Sequence, residues 1–419
     1  MAPKIERFVS PGKGNGLRAT ANIQRGELVY SAEPLASCVS NKLARDVLTL
    51  VFLFRCETLL RCSQCKMARY CGTTCQKQAW SGHKRECKCL QSLLPRYPTD
   101  SVRLAARLIF TVSEAHYLSS ASEQKKQGLS QLASMLELYL QQELLQESKS
   151  ALPPSCREPL SLMAKVTCNC FTISDGELQE IGVGLYPSLS LLNHDCRPNC
   201  VMVFEGTKLR LRAVRDISPD EELTISYIET LSLTEYRQRQ LQDQYHFTCQ
   251  CQQCDAEDKD TLLLSGEKTK WRLLKEALPR LEELKAKRDW HTLLESCSHL
   301  LSTVGDEVPE ENLYKLRMTD MALDASIHLG HWKEAVGYGQ KTLPVYRMYY
   351  PDPHPVHGVQ LMRVGKLQHY LAHIDEALDS FKQAYQIIKL THGDQHPITT
   401  DLLMKMEECR TEMNQLSSS

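Results

Sequence analysis

The stretch that decides the reading runs Val183-Gly184-Leu185-Tyr186-Pro187-Ser188-Leu189-Ser190-Leu191-Leu192-Asn193-His194-Asp195-Cys196-Arg197-Pro198-Asn199-Cys200. An apolar run ends in two hydrogen-bonding side chains, Asn193 and His194, and then in thiols. Downstream stand Arg212-Ala213-Val214-Arg215-Asp216-Ile217 and Asp220-Glu221-Glu222-Leu223-Thr224-Ile225-Ser226-Tyr227. The runs Val201 to Phe204, Leu209 to Val214 and Leu223 to Tyr227 read as strands from about Val166 onward. Upstream, Ile5 to Val9, Gly12-Lys13-Gly14-Asn15-Gly16 and Gly26-Glu27-Leu28-Val29-Tyr30 alternate β-like runs with glycine turns and read as hairpins. The glycine loop is no phosphate loop, because no Gly-Lys-[Ser/Thr] and no helical pattern follow it.

Two thiol clusters flank this region. The first is Cys62-x2-Cys65-x5-Cys71-x3-Cys75-x7-His83-x3-Cys87 and the second is Cys249-x-Cys251-x2-Cys254. Zn²⁺ takes four thiolate or imidazole ligands in a tetrahedron, and C-x2-C or H-x3-C pairs place two of them on one short turn or helical face. The second cluster needs a fourth ligand, for which Cys196 is the best candidate. Cys38, Cys156, Cys297 and Cys409 read as ordinary buried thiols. From Arg55 to Lys88 eight Lys/Arg face only Glu57 and Glu86, a basic patch suited to phosphates or acidic peptide or simply to solvent.

The flanks are helical. Between about Ser101 and Ser150, Leu129, Leu132, Met135, Leu136 and Leu140 fall on one face. After about Trp271 a 42-residue period appears: Trp290, Trp332 and Ile374 open similar segments, and His354-Pro355 is followed by His396-Pro397. Two independent markers with one period indicate stacked helical hairpins longer than the 34-residue tetratricopeptide unit.

Composition fits a globular chain of two or three domains. The 419 residues are 42% hydrophobic and 24% charged, with net charge −1, so only a local patch can serve nucleic acid or a membrane surface. The charged N-terminus lacks a signal peptide's apolar core, and no run approaches a membrane span. An intracellular chain follows, and 18 Cys in a reducing compartment read as metal ligands and core.

The order of glycine loop, Asn-His-x-Cys and Glu-Glu-Leu-x-x-x-Tyr resembles the SET fold. With the first thiol cluster inserted, the whole chain resembles the SET and MYND domain protein lysine methyltransferases. Within that family Asn169-Cys170-Phe171-Thr172-Ile173 and the stretch from Lys66 to Cys89 look most like the member numbered three. The resemblance implies an α+β fold: an N-terminal SET segment over 1–46, MYND-type finger 47–89, helical insert 90–165, core SET 166–230, Cys-rich post-SET 231–256 and an all-α tetratricopeptide-like domain 270–419.

It also implies S-adenosyl-L-methionine as cofactor and protein lysines, in histone tails and other proteins, as substrates. Lys13, Gly14, Asn15, Tyr117, Asn193, His194 and Phe247 match the cofactor site, Tyr227 the catalytic tyrosine, and Phe171 with Tyr245 the flanks of the lysine channel. Zinc would sit on Cys62, Cys65, His83 and Cys87, and on Cys196, Cys249, Cys251 and Cys254. A third zinc would need Cys71 and Cys75 with an earlier C-x2-C pair, which is missing. In its place stands Val47 to Phe54, with only Cys56 near, so Cys56 completes a three-thiolate site or that zinc is lost. The run also reads like a translated pyrimidine-rich intron end.

Further implications are a heat-shock chaperone tail on the helical domain, DNA or peptide on the basic finger, a cytoplasmic and nuclear location, and a monomer without membrane attachment. Departures from the pattern are Asp195 and Arg197, which suggest a new pair, Asp220 where the family has Gly, and a short 114–128 region. The competing function is a zinc-dependent adaptor with a weak SET core.

Overall fold

Two glycines at positive φ, Gly12 at 73° and Gly14 at 81°, let β1 (Ile5–Ser10) turn back as β2 (Gly14–Ala19), with Ile5 opposite Ala19. This computed structural model describes residues 4–41, 59–111, 159–256, 258 and 260–418. The third β-like run is not part of a local hairpin. As β3 (Leu28–Ala32) it pairs antiparallel with β11 (Lys208–Ala213), Ala32 facing Leu209, nearly the whole core away in sequence. A strand exposes two edges, and sequence proximity does not say which distant edge it meets.

β11 also pairs with β10 (Cys200–Glu205) through a tight turn at Gly206, and its side chains alternate between buried and half-buried. A second antiparallel sheet orders β4 (Ala36–Val39), β8 (Glu180–Leu185) and β7 (Cys170–Ser174). Between the sheets runs the decisive stretch. β9 (Asn193–His194) pairs parallel with β12 (Thr224–Ile225), while the Ala19 N–H donates to the Glu221 carbonyl and the Leu223 N–H to the Leu17 carbonyl. The 191–200 segment thus lies against a strand that the N-terminal hairpin also grips. Leu17, Ile23, Ile173, Leu189, Leu192, Leu211, Leu223 and Ile225 bury the core around this crossing, each fully enclosed side chain contributing roughly 2 kcal/mol.

The finger follows the first sheet strands: β5 (Leu60–Arg61), β6 (Arg69–Tyr70) and α1 (Thr73–Leu93). α2 (Asp100–Thr111) packs on α1 and β4, and α3 (Pro159–Asn169) packs on α2; helix persists to the residue before β7 rather than ending near 165. The expectations on 47–55 and Cys56, on Tyr117 and 114–128, and on the Leu129 to Leu140 face fall outside the described residues. α4 (Thr234–Tyr245) and the short α5 (Gln252–Asp255) bracket the second thiol cluster.

The C-terminal region is helical from α6 (Lys268–Lys287) onward. The 42-residue markers prove to be helix starts: α7 (Trp290–Val304), α9 (Trp332–Tyr349) and α11 (Ile374–Thr391) begin on Trp290, Trp332 and Ile374. Their partners α8 (Leu313–Leu329), α10 (Pro355–Tyr370) and α12 (Pro397–Ser418) keep the same period. α8 lacks the His-Pro marker because Asn312 caps it instead, its Oδ1 accepting from the N–H of Tyr314 and Lys315. The turns before the three odd-numbered helices repeat as well, with Arg288, Gly330 and Ala372 all left-handed.

The last helices close onto the β10–β11 sheet. Arg212 donates to the Gly26 and His392 carbonyls at 2.9 and 3.1 Å, and His396 Nε2 meets the Phe204 carbonyl at 2.9 Å. Tyr350 donates to Glu229 at 3.1 Å, and Arg25 pairs with Asp352 at 2.7 Å.

Candidate active site and metal centres

Contacts at the crossing link Lys13, Asn15, Asn193, His194, Tyr227, Tyr245 and Phe247. Asn193 Nδ2 donates to the Asn15 carbonyl at 3.2 Å and to Glu222 Oε1 at 2.7 Å, while Lys13 Nζ reaches Glu222 Oε2 at 3.5 Å. Asn193 therefore holds the glycine loop directly at Asn15 and, through Glu222, at Lys13; Glu222 is given no role from sequence although it stands in the quoted Glu-Glu-Leu run. A Cβ on Gly16 would lie 2.8 Å from Glu222 Oε1 and 2.9 Å from Phe8 Cε1, so any larger residue there must displace one of these side chains. Gly14 is different: apart from its chain neighbours, no atom lies within 4 Å of where its Cβ would stand.

His194 is buried with both ring nitrogens engaged inside the protein. Nδ1 accepts from the Tyr227 main-chain N–H at 3.0 Å, and Nε2 lies 3.4 Å from Cys196 Sγ. Burial pushes its pKa down to about 4, which keeps the ring neutral. Tyr227 donates its hydroxyl to the Leu192 carbonyl, and burial holds the phenol above its ordinary pKa, so it stays a protonated donor. Tyr245 lies 4.8 Å from Tyr227 between ring centroids, and Phe247 stands edge-on to Tyr227 at 6.3 Å and tilted against His194 at 5.9 Å. Phe171 on β7 packs edge-to-face on Tyr186 and joins the core that Tyr227 borders.

The second thiol cluster adjoins these rings. Cys196, Cys249, Cys251 and Cys254 bring their sulfurs within 4.8 Å of one another, Cys196 and Cys254 at 3.6 Å. Sulfurs around Zn²⁺ at about 2.3 Å stand roughly 3.8 Å apart, so the donor set fits that ion. Two neighbours went unseen in the sequence. Gln238 clamps the main chain of Cys249, accepting from its N–H at 2.8 Å and donating to its carbonyl at 2.7 Å. Arg237, 1% exposed, donates to Cys254 Sγ at 3.7 Å. Its positive charge faces the negative thiolates, which keep the guanidinium charged against the cost of burial. Nothing in the run Thr234 to Tyr245 marks Arg237 as buried, since burial follows from how α4 packs.

The finger has its own donor set. Cys62, Cys65, His83 and Cys87 are all buried within 4.8 Å, with Cys62 and Cys87 at 3.6 Å. Beneath His83 lies Glu86, 1% exposed, 3.7 Å from Nδ1 and paired with Arg103 Nε at 3.0 Å and Arg107 Nη2 at 2.9 Å. Those arginines also donate to the Val39 and Ser37 carbonyls, so one carboxylate ties the finger helix α1, helix α2 and strand β4 together. The His83-x2-Glu86 spacing on a helix was the available sign. Among the described residues Cys71 and Cys75 belong to no group of three or more ligands, and Cys71 is exposed.

Two departures find physical accounts. Asp195 and Arg197 do not pair by their charges: the Asp195 carboxylate accepts from the Arg197 main-chain N–H at 2.7 Å, an Asx turn that shapes the bend after His194. Asp220 sits at φ 65°, a left-handed position that glycine adopts freely and aspartate tolerates better than most residues.

The SET domain family model matches residues 14–228. Histone-lysine N-methyltransferase SMYD3 of Homo sapiens is 44% identical over 421 residues, covering 97% of this chain and 97% of that protein. Histone-lysine N-methyltransferase Smyd1 of Mus musculus is 32% identical over 439 residues, with 96% and 89% covered. N-lysine methyltransferase SMYD2 of Homo sapiens is 32% identical over 426 residues, with 96% and 98% covered.

Proposed function

We propose a function from one premise: the chain belongs to the SET and MYND domain-containing protein lysine methyltransferase family. It is a protein-lysine N-methyltransferase, using S-adenosyl-L-methionine and acting on lysines of histones and other proteins. The observation that carries the reading is the seat of Tyr227, held by its main chain to His194 and by its hydroxyl to Leu192, and walled by Tyr245 and Phe247.

S-adenosyl-L-methionine supplies a methyl group already activated on a sulfonium. The chain's task is to hold that group and a neutral amine in line in a dry place. Lys13, Gly14 and Asn15 would lie along the cofactor, with Asn193, the main chain of His194 and the ring of Phe247 opposite. The open side of Gly14 and the anchoring of Asn15 by Asn193 support this. A free lysine holds its proton to a pKa of about 10.4, and the rings of Phe171, Tyr245 and Tyr227 disfavour the charged form by excluding water. The Tyr227 oxygen and the Leu192 carbonyl offer acceptors to the amine. The two donor sets would take Zn²⁺ as structural ions, since each has four soft ligands and no open position for substrate.

Transfer of labelled methyl groups to histone and to lysine-bearing peptides tests the reading. Wild-type protein that binds S-adenosyl-L-methionine and methylates none of them would refute it. Tyr227→Phe is expected to change cofactor affinity by less than about twofold and to cut turnover by about tenfold or more, the signature of a contact made in the transition state.

A further inference from the structure

One side chain joins the second metal centre to the tyrosine. His194 is 4% exposed, and the atoms around it fix its proton without appeal to pH. The Tyr227 main-chain nitrogen, 3.0 Å from Nδ1, can only donate, so Nδ1 accepts and is bare. A neutral imidazole then carries its single proton on Nε2, 3.4 Å from Cys196 Sγ, and donates to that sulfur. Cys196 is the member of the four-cysteine set that comes from the crossing, while the other three come from 249–254. Tyr227 and Phe247 lie against the ring, at 5.3 and 5.9 Å between centroids.

We infer that His194 is a positioning residue, a rigid link through which the metal-held sulfur of Cys196 sets the place of the Tyr227 main chain. A bound ion immobilises Sγ, the sulfur orients the imidazole, and the imidazole holds the amide from which the tyrosine ring projects. Loss of metal frees the sulfur, and the link loses its fixed end. The four-cysteine centre therefore acts on the tyrosine from within the chain, besides tying down residues 249–254. The inference rests on the proposed function for what Tyr227 does, while the link itself concerns only atoms of this chain.

The test uses full-length, zinc-loaded protein and the variants His194→Leu and His194→Gln. Zinc release to a chromogenic chelator should show two phases. In His194→Leu the phase from Cys196, Cys249, Cys251 and Cys254 should quicken about tenfold, and the phase from Cys62, Cys65, His83 and Cys87 should not move. Glutamine keeps one donor and one acceptor and should restore part of the difference. In Co²⁺-loaded protein, removing an N–H donor from a thiolate raises the energy of its lone pairs, so the leucine variant should shift the sulfur-to-cobalt charge-transfer band to longer wavelength. A merely loosened fold would not do this.

Unchanged release and an unchanged band would overturn the link. Should the leucine variant not fold, wild-type protein decides. Selective removal of the zinc held by the four cysteines should speed hydrogen exchange at the Tyr227 amide, and an amide that stays protected overturns the inference. Calorimetry with S-adenosylhomocysteine is run beside these. Absence of binding there would refute the proposed function, while zinc release and amide exchange still decide the link.

Discussion

Gly16 shows how little room the site leaves at the scale of one residue. Its missing Cβ would stand 3.1 Å from Asn193 Nδ2 besides the clashes with Glu222 and Phe8. Alanine must push at least one of these aside, and Asn193 is the one that holds the Asn15 carbonyl. Gly16→Ala is therefore expected to weaken S-adenosylhomocysteine binding by about tenfold, or about 1.4 kcal/mol, with zinc content unchanged. Calorimetry with metal analysis checks it, and wild-type affinity would show that the loop does not depend on this packing. Gly14, in open space a few atoms away, is constrained only by its positive φ. The sequence offered both glycines as one loop, and only the packed strands separate their roles.

Charge networks dominate at the scale of elements. Glu86 is buried among α1, α2 and β4 and is the shared acid of Arg103 and Arg107, which hold its carboxyl well below the ordinary range once the cost of burial is met. Removing one member of a buried ionic set strands the others. Glu86→Gln should thus cost about 3 kcal/mol in unfolding free energy and hasten zinc loss from the finger, measured by urea denaturation and chelator kinetics.

Asp320 on α8 works in the other direction. Burial and the neighbouring Asp324 raise it to about 7 despite a hydrogen bond from Tyr346 and the charges of Arg363 and Lys285. Between its ordinary value of 3.8 and about 7 the folded chain holds more protons than the unfolded one, so this group's contribution to stability falls as pH rises through that window. Asp320→Asn removes the slope. The variant should gain on the wild type between about pH 5 and about pH 8, and equal differences in melting temperature at the two pH values would contradict it.

At the scale of the whole molecule, the repeats and the sheet meet at Arg212. Gly393 makes this approach possible: it sits at φ 93°, and a Cβ there would be 2.0 Å from Arg212 Nη2. Exposed pairs across the same boundary, such as Arg25 with Asp352 and Lys366 with Glu177, add little by comparison. Gly393→Ala is expected to cost about 2–3 kcal/mol, from the strained backbone and the displaced guanidinium. It should also loosen the repeats from the sheet, and an unchanged melting temperature and solution scattering profile would place the adhesion elsewhere.

What the sequence by itself determined was local chemistry with a spacing. Cys62, Cys65, His83 and Cys87 can close on one ion because two short ligand pairs need only one fold-back. The 42-residue period marks helix starts because each unit must bury the same apolar face against its neighbours. Asn193, His194 and Tyr227 were legible from their motif. Only the tertiary structure decided what each of them touches. β3 finds its partner at the far end of the core sequence, Arg237 turns inward to face thiolates, Glu222 joins Lys13 to Asn193, and His194 spends its ring on Cys196 and Tyr227. These contacts join segments whose separation along the chain carries no periodic trace. They arise because burying a polar group demands a partner, and the partner is whichever donor or acceptor the packed core brings within reach.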